Sequence, residues 1–257
     1  MSLSSPSEWA ASLPMGQVAT RQWLQARGAS RHALDNALKS GRLIAPARGL
    51  LARPGLPVTW EGVVASLDRM MPDPVYVGGL SALERSGLGH YVTMASRVHL
   101  YSPGPAPAWL ARLPVGVDWV WHVTTRLWDQ QALQDSGSVR EQRTPTLEGW
   151  PMASPEQAFL EVLADVPESI SFEHADNLMR GLSALSPRRL DTLLHACRHV
   201  RVKRLFFFFA DRHPYPWRKR LDPADYDLGS GKRSVVRGGR LDRTYLITVP
   251  EAFHGQE

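Results

Sequence analysis

The chain has a single cysteine, Cys197, among 257 residues. An internal disulfide is therefore excluded, and the thiol content suits a reducing cytoplasm. Long hydrophobic runs are also missing. The longest of note is "LFFFFA", Leu205 to Ala210, far short of the roughly 20 residues that span a bilayer. The opening "MSLSSPSEWAASL" has no basic run followed by an apolar stretch, so no signal peptide and no membrane partner are expected. Lysine is scarce, with four among thirty cations. Two positions before those lysines stand Ala37, Arg201, Trp217 and Ser230, so the acid-x-Lys pattern of metal-dependent nucleases is absent. No Gly-x-Ser-x-Gly elbow of a hydrolase is present. "HACRH" sets His195 and His199 at the spacing of two zinc ligands on one helix turn, but Ala196 stands where a zinc protease needs glutamate. No metal or other cofactor is expected.

One stretch imitates a nucleotide site. "DLGSGKRS", Asp227 to Ser234, runs a glycine turn into Gly231-Lys232. A P-loop needs glycine five positions before that Gly and a hydroxyl after the Lys, because backbone N–H groups wrap the phosphates and the hydroxyl holds magnesium. Those positions are Tyr226 and Arg233. Nearby Asp225 and Asp227, beside Gly229-Ser230, hold the pieces of a nucleotidyltransferase site, but there Gly-Ser comes before the aspartates and here it follows. A phosphotransfer enzyme is the alternative function, and it rests on these marks alone.

What is present is patterned charge. Residues 1–55 hold seven basic against two acidic residues, residues 56–197 ten against sixteen, and residues 198–243 thirteen against five. Two basic regions flank an acidic middle. The cations are mostly arginine, whose planar fork suits phosphate and base edges.

The first basic region carries a motif. Val18, Trp23, Leu24 and Ala26 suggest a short amphipathic helix ended by Gly28. Ser30 suits the N-cap of a second helix, with Ala33, Leu34, Ala37 and Leu38 facing inward and Gly41 past its end. "RLIA" and "GLLARP" follow as strand-like runs about Pro46-Ala47-Arg48-Gly49. This is the outline of a winged helix-turn-helix over residues 1–55. Its second helix leaves Arg31, His32, Asp35, Asn36 and Lys39 outward; Arg, Asn and Lys suit guanine, adenine and phosphate in turn. Arg48 at the wing tip suits the backbone or minor groove. The partner implied is double-stranded DNA, with dimerisation on DNA left open.

Beyond residue 55 the pattern is mixed. Helices are expected at 59–71, within "GGLSALERSGLGHY" (78–91), from Ser154, and at 171–183, 186–198 and 201–212. Strands are expected at "VYV", "RVHLYS", "VDWVWHV", "VREQRT" and "TYLITV". The fold class is α+β, with residues 56–257 as a second, larger domain.

The winged helix, "GGLSALERSGLGHY", "SPEQAFLEVL", "VKRLFFFFADRHPYPW", "YDLGSGKR" and "YLITVP", in that order, resemble the AbiEi family, the antitoxins of type IV toxin–antitoxin systems. The resemblance implies an N-terminal DNA-binding domain that represses its own operon. It also implies a C-terminal antitoxin domain that opposes an AbiEii-like nucleotidyltransferase toxin, and no enzyme activity. The basic residues Lys203, Arg204, Lys232 and Arg233 are the expected antitoxin set, able to attract RNA or an acidic partner surface.

Overall fold

Short hydroxyl-capped helices and brief strands build the N-terminal part. The computed structural model of the protein describes residues 12–88 and 97–254. The leading "MSLSSPSEWAA" and residues 89–91 of the helix expected at 78–91 lie outside the described residues. The chain divides into two compact units. One comprises residues 1–77, 94–122 and 141–152; the other comprises residues 78–93, 123–140 and 153–257.

In the first unit, β1 (Val18–Thr20) leads into α1 (Arg21–Ala26), whose N-cap Thr20 accepts from the Trp23 N–H at 3.1 Å. Val18 thus belongs to a strand and not to the first helix. Its partner is Ala52 on β3, a pairing that a three-residue run does not announce. α2 (Arg31–Lys39) starts at Ser30, whose Oγ accepts from the Ala33 N–H at 3.1 Å. It ends before Gly41, whose φ of 71° lies in the left-handed region. β2 (Ile44–Ala47) and β3 (Leu50–Ala52) form the wing, and the sheet order is β1-β3-β2. Leu13, Ala19, Leu24, Ala29, Leu34, Ala37, Leu43 and Leu51 make its core. α3 (Trp60–Met70) packs on β1 from beyond residue 55: Ser66 Oγ accepts from the Val18 N–H at 2.9 Å, and Arg69 Nη2 donates to the Val18 carbonyl at 2.9 Å.

This unit also holds most residues of a five-stranded sheet. It comprises β4 (Tyr76–Val77), β5 (Arg97–Ser102), β6 (Asp118–Val123), β7 (Val139–Thr144) and β8 (Leu147–Ala153), in the order β6-β5-β4-β8-β7. Central β4 runs antiparallel to β5 and parallel to β8. β8 has no counterpart among the expected strands because Gly149 and Pro151 lie within it, and both residues ordinarily argue against a strand.

The second unit is mainly helical: α4 (Gly79–Arg85), α5 (Gln130–Asp135), α6 (Pro155–Ala164), α7 (Phe172–Gly181), α8 (Pro187–Ala196) and α9 (Val200–Asp211). α6 is its centre and touches α4, α7, α8 and α9. Burial on all sides forces its polar residues to find partners. Glu156 accepts from the Ser186 N–H at 2.8 Å and from Arg189 at 2.9 Å. Glu161 accepts from the Gly79 N–H and from Gln157 Nε2, each at 2.9 Å. A hairpin of β9 (Arg240–Asp242) and β10 (Ile247–Val249) follows. β10 starts later than the expected strand because Leu246 turns the chain at φ 53°. Among the described residues no helix is long and apolar enough to cross a membrane. The architecture is α+β.

Candidate nucleic-acid interface

α2 presents one polar face. Leu34 and Ala37 are buried, and the complementary positions Arg31, His32, Asn36 and Lys39 are all exposed. The helix is held from behind. Arg21, the first residue of α1, donates from Nη1 to Asp35 Oδ1 at 2.8 Å. That hydrogen bond from Arg21 holds the Asp35 carboxyl below the usual carboxylate range. Asp35 therefore serves as a brace between the two helices. The Arg21 backbone N–H also donates to the Gly49 carbonyl at 3.2 Å, so one residue links α1, α2 and the wing turn.

On the outer face Asn36 Nδ2 lies 2.9 Å from His32 Nε2. An amide N–H can only donate, so this contact uses one hydrogen and leaves the other, with the amide oxygen, for an adenine edge. Nine residues make α2 about 14 Å long, a length that fits a major groove about 12 Å wide. Arg48 stands exposed at the wing tip, where a bulge separates the Ile44 and Ala47 pairings.

The second basic region is arranged differently from its expected role. Lys203 and Arg204 are buried, at 5 % and 2 % exposure. Arg204 Nε donates to the Leu228 carbonyl at 2.6 Å, Nη2 to Gly229 at 3.0 Å, and Nη1 to Gly231 at 2.7 Å and Leu246 at 3.2 Å. The loop that resembles a phosphate cradle is a ring of carbonyls closed on a guanidinium. Its backbone is turned so that carbonyls, not N–H groups, point inward, which is the wrong polarity for an anion. Burial, and Arg233 nearby, hold the Arg204 pKa below the ordinary arginine value. Lys232 and Arg233 are exposed, so the four expected cations do not form one surface.

The other chemical candidates also resolve into local structure. Asp227 Oδ1 accepts from the Gly229 N–H at 2.8 Å, closing an Asx turn within the loop. Asp225 ends a single helical turn at Pro223–Asp225. His195 and His199 do not share a helix: α8 stops at Ala196, Cys197 pairs in an isolated bridge with Trp128, and α9 starts at Val200. Burial pushes the Cys197 thiol up to about 11, so it is a packing group. Among the described residues no group of three or more potential ligands could hold a metal.

Two family models divide the chain between them. Residues 2–94 match the N-terminal domain of the transcriptional regulator, AbiEi antitoxin, and residues 95–250 match the transcriptional regulator, AbiEi antitoxin of type IV toxin–antitoxin systems. The chain belongs to the AbiEi antitoxin family. It also shares a fold with the crystal structure of the RV2827C protein from Mycobacterium tuberculosis. That match has a TM-score of 0.51 at 20 % identity and covers 94 % of this chain and 88 % of the other. No curated protein matches it.

In this AbiEi chain the wing and the exposed face of α2 fall where the residue pattern put them. Two further cations emerge from the structure. Arg42 lies exposed between α2 and the wing, with Nε donating to Ser40 Oγ at 3.1 Å. Arg27 stacks on Trp23 at 3.5 Å from the ring centre. Their signal was the basic count of the first 55 residues, but nothing local in the sequence separates a free cation from a stacked one.

Proposed function

We propose that this AbiEi protein represses its own operon by placing α2 in the major groove of the operator, and that its C-terminal part counteracts an AbiEii-like nucleotidyltransferase toxin. The observation that carries the DNA reading is the free face of α2, Arg31, His32, Asn36 and Lys39, held from behind by the Arg21–Asp35 pair. The face combines groups that read bases with groups that neutralise phosphate. Arg48 adds a wing contact. The family supports a regulator that acts by binding, without catalysis of its own.

The test is fluorescence anisotropy of the full chain on a duplex from its own promoter. Replacing Arg31, Asn36, Lys39 and Arg48 together by alanine is expected to abolish specific binding and leave the melting temperature unchanged. Unaltered affinity and salt dependence would overturn the reading. For neutralisation, the exposed Lys232 and Arg233 are the remaining candidates of the basic set. Lys232→Ala/Arg233→Ala is expected to keep promoter binding and to reduce rescue from the co-expressed toxin. Full rescue would leave the pair without a role.

A further inference from the structure

One cavity of the first unit is walled by polar groups that have nothing to bond. Its volume is about 680 Å³, within the ~300–1,000 Å³ of small-molecule sites. Each of its wall residues belongs to that unit. Gln17, just before β1, is 6 % exposed, and its side-chain amide makes no hydrogen bond among the described residues. Trp150 on β8 is 5 % exposed, and its Nε1–H has no acceptor among them. The Nε–H of Arg69 on α3 is likewise buried without an acceptor, although Nη1 and Nη2 donate to the Ser12 and Val18 carbonyls. Buried polar groups are ordinarily paired, so three orphans around one cavity call for an occupant.

The charges on the wall select that occupant. Glu141 and Arg143 stand two apart on β7, hence on one face of the strand. Neither has a hydrogen bond or ion pair among the described residues. Gly149 on β8 makes room for the Glu141 carboxylate, since a Cβ there would stand 3.1 Å from Glu141 Oε2. Asp68 on α3 adds a second carboxylate to the wall. Partial burial, and then the Glu141 charge, hold it above the usual carboxylate range, against the Val75 N–H. Two carboxylates without a cation ask for an ammonium. The Trp150 indole, the Arg69 Nε–H and the Arg143 guanidinium can only donate, and they ask for a carboxylate. A metal cation would leave these donors unpaired, and an inorganic anion would add negative charge beside Asp68 and Glu141. We propose that the cavity binds a short zwitterion, a free amino acid or a dipeptide, with its ammonium towards Asp68 and Glu141 and its carboxylate towards Arg143 and Trp150. The site adjoins the winged helix, because Arg69 also stacks on Trp23 of α1 at 4.9 Å from the ring centre. The inference stands apart from the DNA reading, because the free protein tests it.

The full chain is melted with each common L-amino acid, and with the corresponding glycyl dipeptides, at millimolar concentration. At least one is expected to raise the melting temperature by several degrees, as a ligand selective for the folded state does. Comparison of the two sets tells a free amino acid from a dipeptide. The N-acetyl form of that compound lacks the ammonium and its amide form lacks the carboxylate, so neither should stabilise the protein. In isothermal titration calorimetry, Glu141→Gln and Arg143→Ala, both at exposed positions, should each weaken binding roughly tenfold or more, because each removes a charged partner. Trp150→Phe keeps a ring against Trp60, removes the N–H and should weaken binding as well. A cavity that takes only water gives no shift with any of these compounds, and that result overturns the proposal. Equal stabilisation by the N-acetyl or amide form, or binding unchanged in both Glu141→Gln and Arg143→Ala, overturns it equally.

Discussion

The guanidinium of Arg204 donates to the Gly231 carbonyl, 27 residues along the chain, at 2.7 Å. Three further carbonyls, of Leu228, Gly229 and Leu246, complete the ring. Arg204→Met should keep much of the side-chain volume and leave these acceptors without their donor. The expected loss is about 3 kcal/mol of stability, since buried acceptors lose a charged partner. Arg204→Lys should recover little of it, because a point ammonium cannot span the ring as a planar fork does. Urea unfolding measures both. A near-neutral Arg204→Met would show that the ring is not what fixes the loop. ATP should not raise the melting temperature of the parent chain, as a ligand selective for the folded state would.

A second prediction concerns the seat of α3 on β1. A Cβ at Gly62 would lie 1.9 Å from the Gly16 carbonyl oxygen, a contact with backbone that cannot turn aside. Gly62→Ala should cost about 3 kcal/mol or more, at the upper end of overpacking effects. Gly41→Ala meets nothing within 4 Å and is strained only by its φ of 71°, so about 1 kcal/mol is expected. Thermal melts of the two variants should therefore differ widely. Equal melting temperatures would refute the steric argument.

The face of α2 allows a separation of base reading from charge. Asn36→Ala should relax base choice at one position and cost about 1–3 kcal/mol on the operator. Lys39→Ala should weaken every duplex alike and lower the salt slope by about one unit. Competition with operators altered one base at a time, repeated across salt concentrations, distinguishes the two. The same loss of discrimination in both variants would rule out this division.

Acid stability is tied to Glu156. Burial alone would raise its pKa, but the Ser186 N–H and the Arg189 guanidinium outweigh that and hold it below the ordinary value. Protons thus bind the unfolded chain more readily than the folded one. The contribution is fully present above the ordinary glutamate pKa of about 4.3 and is lost as pH falls through the lower folded value. Glu156→Gln should be less stable at neutral pH and should show a flatter decline in that acid window. Parallel stability–pH curves for the two proteins would exclude Glu156 as the cause.

The sequence alone determined the elements whose signals are local. Ser30, the i, i+3, i+4 run of Ala33, Leu34, Ala37 and Leu38, and Gly41 lie within a dozen residues of one another, and α2 spans Arg31–Lys39 between the cap and the glycine. Its outward face followed at once, because helical periodicity assigns the exposed positions together with the buried ones. The ordered motifs also carried the family. Tertiary structure alone decided the fate of side chains whose partners are distant in sequence. Lys203 and Arg204 read as part of a basic surface, but they sit in a helix apolar on nearly every side, and Arg204 finds its acceptors 24 to 42 residues later. β8 formed despite Gly149 and Pro151 because Val77 offered a ladder from 75 positions away. His195 and His199 were parted when Cys197 bridged to Trp128 and ended α8. In each case a long-range hydrogen bond or burial outweighed a local preference, and a linear pattern does not record which distant group will supply it.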